Sequence, residues 1–167
     1  AGPDGQLLLR IDDLDRARFR EAYLEDIFRV IDRLSITVTE GPSSPEDFHK
    51  EWSQQYRMTH YQAALEQIGT SHKIYACDCS RKTFGGERHS RICKTGKLSL
   101  ETPGIAWRYR TTYLSLQVPD KVTGDYFLVD LHGEMGDFVV RKKDGTPSYQ
   151  LACVVDDYLF GINRVGR

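Results

Sequence analysis

No stretch of this chain is long and apolar enough to span a bilayer, and the N-terminus lacks the charged-then-apolar pattern of a secretory leader. No membrane partner is expected, and the expected location is the cytoplasm. An excess of charge of one sign is missing too. Lys and Arg number 23 against 24 Asp and Glu, a formal net charge of −1, so whole-molecule charge gives no sign of a polyanionic partner. There is no internal repeat and no low-complexity tract, which sets aside solenoids and disordered linkers. What is there, 40 % hydrophobic and 28 % charged residues over 167 positions, suits one soluble domain with a small appendage. No apolar stripe marks a partner surface, and a monomer is expected.

Cysteine is scarce, four in all, yet three crowd together. Cys77 and Cys79 are followed by His89 and Cys93. A Cys-x-Cys pair sets two thiolates on one turn, and His89 and Cys93, four apart, share a face if that piece is helical. Thiolate and imidazole are the donors a tetrahedral zinc prefers, and a closed set of three Cys and one His is the pattern of a structural site. Residues 80–88 are polar and flexible enough to fold back, and Arg81, Lys82 and Arg88 would offset the negative charge of such a centre. The competing reading is ordinary buried thiols. A Cys77–Cys79 disulfide is sterically awkward, and Cys153, inside an apolar run, reads as core. Basic residues also cluster at 81–97 and at Arg141-Lys142-Lys143, as solvated faces or as a phosphate-contacting patch.

The local pattern mixes α and β. Leu7-Leu8-Leu9-Arg10-Ile11 looks like a buried strand and ends in the acidic Asp12-Asp13-Leu14-Asp15. Ligands gather at the carboxyl ends of parallel strands, so this cluster is a candidate for gripping an ammonium group or a metal. The alternative is that Asp13 or Asp15 caps the next helix. Leu24, Ile27, Phe28, Ile31 and Leu34 recur at helical spacing and predict a helix over 16–34. Residues 35–39 alternate as an extended piece, and Gly41-Pro42-Ser43-Ser44-Pro45 punctuates a loop. A helix over 56–67 puts Tyr61, Ala64, Leu65 and Ile68 on one side, and a strand at 73–76 leads into the cysteines. Further strands are expected at 105–110, 113–118, 126–130 and 137–142, with a turn at Lys143-Asp144-Gly145-Thr146. Residues 149–157 start as a helix that packs Leu151 to Val155 inward, and 161–167 reads as a strand.

Three stretches together resemble one family. They are Arg10-Ile11-Asp12-Asp13-Leu14-Asp15; Met135-Gly136-Asp137-Phe138-Val139-Val140-Arg141 with Asp144-Gly145-Thr146-Pro147-Ser148-Tyr149-Gln150-Leu151-Ala152; and Val154-Val155-Asp156-Asp157. Their order and sequence are similar to the catalytic domain of the glutamyl-tRNA synthetases, a class I family. The resemblance runs from about Leu7 to Arg167 and implies an α/β fold: part of a Rossmann-type catalytic core with a small zinc-bearing insertion. On that reading 1–76 opens the core, 77–120 forms the zinc-bearing, acceptor-binding insertion, and 121–167 returns to the core.

The resemblance also implies chemistry. The short branch of the family lacks an anticodon-binding domain and attaches glutamate to the queuosine base of tRNA(Asp). Its zinc ligands are a Cys-x-Cys pair and a Tyr four residues before a third Cys, which fall here on Cys77, Cys79 and Cys93, with His89 in place of the Tyr. The compact spacing between the cysteines and Gly136-Asp137-Phe138 favours that branch over the ordinary tRNA-charging enzymes. Carried over, the L-glutamate site falls on Asp12 for the amino group, where the family has Glu, on Tyr149, and on Arg167 for a carboxylate, where a guanidinium fork suits two parallel hydrogen bonds. The implied co-substrate is ATP with Mg²⁺, and zinc is the implied structural metal. The class I His-x-Gly-His motif and the Lys-rich loop are absent from the sequence, and His132-Gly133-Glu134 is no substitute. Both elements stabilise charge on the triphosphate, so these 167 residues, the middle of an enzyme on this reading, are expected to be inactive alone. Two alternatives stand beside it: a piece of an ordinary glutamyl-tRNA synthetase, and a non-catalytic, zinc-stabilised RNA-binding module.

Overall fold

The computed structural model describes residues 5–79, 98–111, 115–120 and 123–165. They divide into two compact units, 1–60 and 61–167.

In the first unit, Leu7–Leu9 runs parallel to Thr39–Glu40. Thr39 donates its N–H to the Leu7 carbonyl at 3.0 Å, and Leu9 donates to the Glu40 carbonyl at 2.9 Å. Parallel pairing needs a crossover, and helix α1 (Glu21–Arg33) supplies it, so this isolated parallel bridge has the connectivity of a β-α-β step without forming full strands. Leu7 is exposed and Leu8 and Leu9 are half-buried, so the stretch is not the buried strand its sequence suggests; among the described residues it is paired on one side only. Gly41 follows at φ 117°, and a Cβ there would sit 2.5 Å from the Leu9 carbonyl oxygen, so only glycine lets the two segments come this close.

Helix α1 starts at Glu21 rather than Arg16. Arg18 and Phe19 both donate to the Asp15 carbonyl in a separate turn, and Arg20 then breaks the path with extended dihedrals (φ −140°, ψ 131°). Neither Asp13 nor Asp15 caps the helix, because Arg20 occupies the N-cap position and makes no side-chain cap. Leu24 is buried and Ile27, Phe28 and Ile31 are half-buried, while Leu34 lies beyond the last helical residue and is exposed. Ser35, at φ 53°, reverses the chain, and Ile36 returns its N–H to the Ile31 carbonyl.

Pro45 opens not more loop but a short helix, α2 (Pro45–Asp47), capped by Ser44. It runs into a π-helical turn, Phe48–Trp52, and a 3-10 turn, Gln54–Arg57. Phe48 is fully buried and stacks on Phe19. The long helix α3 (Met58–Gly69) begins after these turns and carries the chain into the second unit.

The second unit is built on an antiparallel sheet in the order β1-β2-β5: β1 (Ile74–Cys77), β2 (Ala106–Tyr109) and β5 (Phe138–Arg141), with a bulge at Trp107/Arg108. Leu65, Ile74, Val140 and Leu151 form its buried core, with Ala64, Ile68, Trp107, Phe138 and Val155 packed around them. Each such side chain contributes about 1.5–3 kcal/mol when fully removed from water. The last residue of α3, Gly69, lies against the Trp107 ring, where a Cβ would come within 3.0 Å. A separate antiparallel hairpin joins β3 (Ser115–Pro119) to β4 (Tyr126–Asp130), followed by the short helix α4 (Leu131–Glu134). Helix α5 (Tyr149–Leu159) is capped by Ser148 and ends at Gly161, φ 62°. Ile162 donates back to the Asp157 carbonyl, so this segment closes the helix; through Val165 it forms no strand, contrary to the expectation from its sequence. No helix of the described residues is long and apolar enough to cross a membrane.

Candidate functional site

In the first unit the acidic cluster separates into distinct roles. Asp13 is 1 % exposed and wholly engaged. Its Oδ1 accepts the Gln54 N–H at 2.8 Å, and its Oδ2 accepts the Ser53 hydroxyl at 2.5 Å and Arg16 at 3.1 Å. Gln54, also 1 % exposed, turns its Oε1 to the N–H groups of Asp13 and Leu14 at 3.1 and 3.3 Å. Its Nε2 donates to Asp12 Oδ1 at 3.1 Å, the same oxygen that Arg10 Nε reaches at 2.9 Å. The π-helical turn matters here because it ends at Ser53, whose extended ψ of 139° swings Ser53 and Gln54 onto the 12–14 loop. Arg57 closes the turn by donating to the Trp52 carbonyl at 3.0 Å. Asp15 is exposed beside Arg18. Asp12, with 31 % of its side chain exposed, is thus a carboxylate held in one orientation yet open to solvent.

Sequence reasoning missed both Ser53 and Gln54. The one available signal was local, a Ser ahead of a helical run, since Ser53 does accept the Gln55 N–H in the manner of an N-cap.

In the second unit, Tyr149 is the first residue of α5, immediately after its Ser148 cap, and its ring is exposed. The turn before it is tightly made. Asp144 Oδ1 accepts both the hydroxyl and the N–H of Thr146, at 2.6 and 2.9 Å, and the hydroxyl above all holds its carboxyl below the usual range against the opposing effect of burial. Lys142 and Ser148 then donate to the Thr146 and Val140 carbonyls, which returns the chain to β5 and fixes where α5 begins. Arg167 lies outside the described residues.

Asp137, of the Gly-Asp-Phe stretch, is buried and works as a knot. Its carboxylate accepts the Tyr75 hydroxyl at 2.8 Å and the N–H and hydroxyl of Thr111 at 3.0 and 3.1 Å, and its carbonyl accepts Arg108 at 2.8 Å. His132 Nδ1 lies 2.7 Å from the Thr111 hydroxyl, which gives His132-Gly133-Glu134 a structural place on α4. Burial first, then the hydrogen bond to the Asp137 carboxylate, pushes the Tyr75 phenol far above its ordinary value. Asp156 is equally buried and accepts the Tyr61 hydroxyl at 2.6 Å, tying α5 to α3.

Cys77 is buried at the end of β1, Cys79 is half-buried, and both are thiols rather than disulfide partners. Lys143 Nζ donates to the Asp78 carbonyl between them, so the turn after β5 braces the Cys-x-Cys turn. The other two candidate ligands, His89 and Cys93, lie outside the described residues. Among the described residues no three potential metal ligands converge. The donor pair that is described suits a thiophilic divalent ion such as zinc. Cys153 is half-buried on α5, in keeping with packing rather than ligation.

Three comparisons bear on this arrangement. The family model for the catalytic domain of class I tRNA synthetases (E and Q) matches residues 2–108. A glutamyl-Q tRNA(Asp) synthetase of Synechococcus is 34 % identical over 98 % of this chain and 54 % of its own length. One from Thiobacillus denitrificans is 32 % identical over 98 % of this chain and 53 % of its length. A glutamate–tRNA ligase of Dehalococcoides mccartyi is 31 % identical over 98 % of this chain but 35 % of its own. Among solved structures, a glutamate tRNA ligase from Elizabethkingia meningosepticum in complex with its amino acid matches at a TM-score of 0.71 and 21 % identity, covering 95 % of this chain and 36 % of that one. At that identity the likeness shows the fold alone. The chain therefore spans about half the length of the glutamyl-Q relatives and about a third of the ligases.

Proposed function

Because this chain belongs to the catalytic-domain family of class I tRNA synthetases (E and Q), we propose that the intact protein activates L-glutamate with ATP and transfers it to the queuosine base of tRNA(Asp). The observation that carries this reading is the near end-to-end match to relatives named for that reaction, 98 % of the chain at 34 and 32 % identity. It acts as a monomer in the cytoplasm.

In the first step the glutamate carboxylate attacks the α-phosphate of ATP, which enters with Mg²⁺, and pyrophosphate leaves. In the second, a hydroxyl of the queuosine cyclopentenediol attacks the acyl carbon and AMP leaves. Neither step calls for a side-chain nucleophile. The protein contributes binding and orientation, which alone lower a barrier by several kcal/mol, up to about 10. Asp12 receives the substrate ammonium group, Tyr149 contacts the substrate, and Arg167 pairs with a carboxylate. Support for Asp12 comes from its oriented, solvent-open carboxylate, and for Tyr149 from its exposed ring at a fixed helix start. The motifs that hold the triphosphate are not in this sequence, so the activity is assigned to the intact protein.

Cys77, Cys79, His89 and Cys93 would hold a zinc ion. When bound, the ion supplies a structural cross-link for the insertion that meets the acceptor and takes no part in the chemistry.

Glutamate-dependent ATP–pyrophosphate exchange by the full-length gene product, with and without tRNA, tests the reading. Exchange without tRNA is expected. Exchange only with tRNA would favour an ordinary glutamate–tRNA ligase, a reading supported by the Dehalococcoides relative. No exchange in either case would leave a non-catalytic, zinc-stabilised RNA-binding module.

A further inference from the structure

We infer that Gln54 is a positioning residue for the amino end of the substrate, acting through Asp12. The inference rests on Asp12 being the ligand of the glutamate ammonium group. An aspartate stops one methylene short of the glutamate its family carries, so the direction of its carboxylate decides whether it reaches the substrate.

Arg10 Nε and Gln54 Nε2 both donate to its Oδ1 and so bear on that direction. Arg10 is a cation and repels an arriving ammonium; Gln54 is neutral and is the holder compatible with a bound one. The orientation of the Gln54 amide is not arbitrary. Its oxygen faces two backbone N–H donors, those of Asp13 and Leu14, and a flipped amide would set donor against donor in a site 1 % exposed. The NH₂ is thereby forced toward Asp12. Gln54 is fixed in turn by its own N–H on Asp13, whose other oxygen is held by Ser53. Residues some forty positions away along the chain thus aim the carboxylate before substrate arrives.

The test separates this role from a merely structural one. Gln54→Glu keeps an oxygen for the two N–H groups but turns an acceptor toward Asp12. In glutamate-dependent exchange by the full-length protein, the variant is expected to raise KM for glutamate about tenfold while kcat falls far less, as for a loss of ground-state binding. In an Asp12→Ala background, which itself raises KM, adding Gln54→Glu is expected to change KM no further, because there is no carboxylate left to aim. If Asp12→Ala raises KM but Gln54→Glu does not, or if the two effects simply add, the inference is overturned and the glutamate-site reading stands. If Asp12→Ala leaves KM unchanged, both fall together. Should Gln54→Glu fail to fold, Gln54→Met, similar in volume and unable to donate, carries the same comparison with the same expected non-additivity.

Discussion

Asp13 and Gln54 hold each other by the backbone: Gln54 N–H donates to Asp13 Oδ1 at 2.8 Å, and Asp13 N–H donates to Gln54 Oε1 at 3.1 Å. Each side chain satisfies the other residue's main chain, so neither can be removed without stranding a buried donor. Asp13→Ala is expected to destabilise the protein by about 3 kcal/mol, since the Ser53 hydroxyl and the Gln54 N–H lose their acceptor in a buried site. Urea denaturation of the variant checks this, and a loss below about 0.5 kcal/mol would mean that water replaces the carboxylate.

Tyr75 gives stability a dependence on alkaline pH. Its phenol is raised in the folded state, chiefly by burial, so the folded chain keeps a proton that the unfolded chain releases near pH 10. This contribution is complete below about pH 10 and is lost progressively as pH rises above it. Tyr75→Phe should cost about 1–2 kcal/mol at neutral pH and flatten the fall in stability between about pH 10 and 12. Denaturation midpoints of both proteins across that range decide it.

Gly41 stands where a side chain cannot. With φ at 117° and the Leu9 carbonyl 2.5 Å from any Cβ, Gly41→Ala must either strain the backbone or part the Leu7–Leu9 and Thr39–Glu40 segments. The expected loss is about 2–4 kcal/mol, with amide protection falling first at Leu9 and Glu40. Hydrogen exchange read residue by residue would show it.

Zinc binding is open to direct measurement. The full-length protein should carry one zinc ion per chain by elemental analysis, and Cys77→Ser should reduce that content several-fold while weakening thermal stability. An unchanged metal content would remove Cys77 from the ligand set and return its thiol to ordinary core packing.

Where hydrophobic spacing governs, the sequence was readable. Tyr61, Ala64, Leu65 and Ile68 announced the buried side of α3, and β1, β4 and β5 fell close to their expected positions. Errors came where backbone hydrogen bonding overrode pattern. The first turn expected for α1 went to a separate Asp15 turn, and the 161–165 segment, expected within a strand, was taken up in closing α5. The acidic cluster stood out in the sequence as a candidate site, but its division of labour did not. What distinguishes Asp12 from Asp13 is the pair Ser53-Gln54, some forty residues away, and no local periodicity reports a contact of that separation.

The Tyr61–Asp156 hydrogen bond spans 95 residues of chain, and both of its ends are buried. On a ribosome adding about 5–20 residues per second, Asp156 emerges roughly 5–20 s after Tyr61. For that interval the phenol of α3 waits on the solvent side of an unfinished protein, with the helix face meant for the interior still wet. The second unit therefore cannot reach its closed state until Asp156 has been made, because this buried contact needs both of its ends.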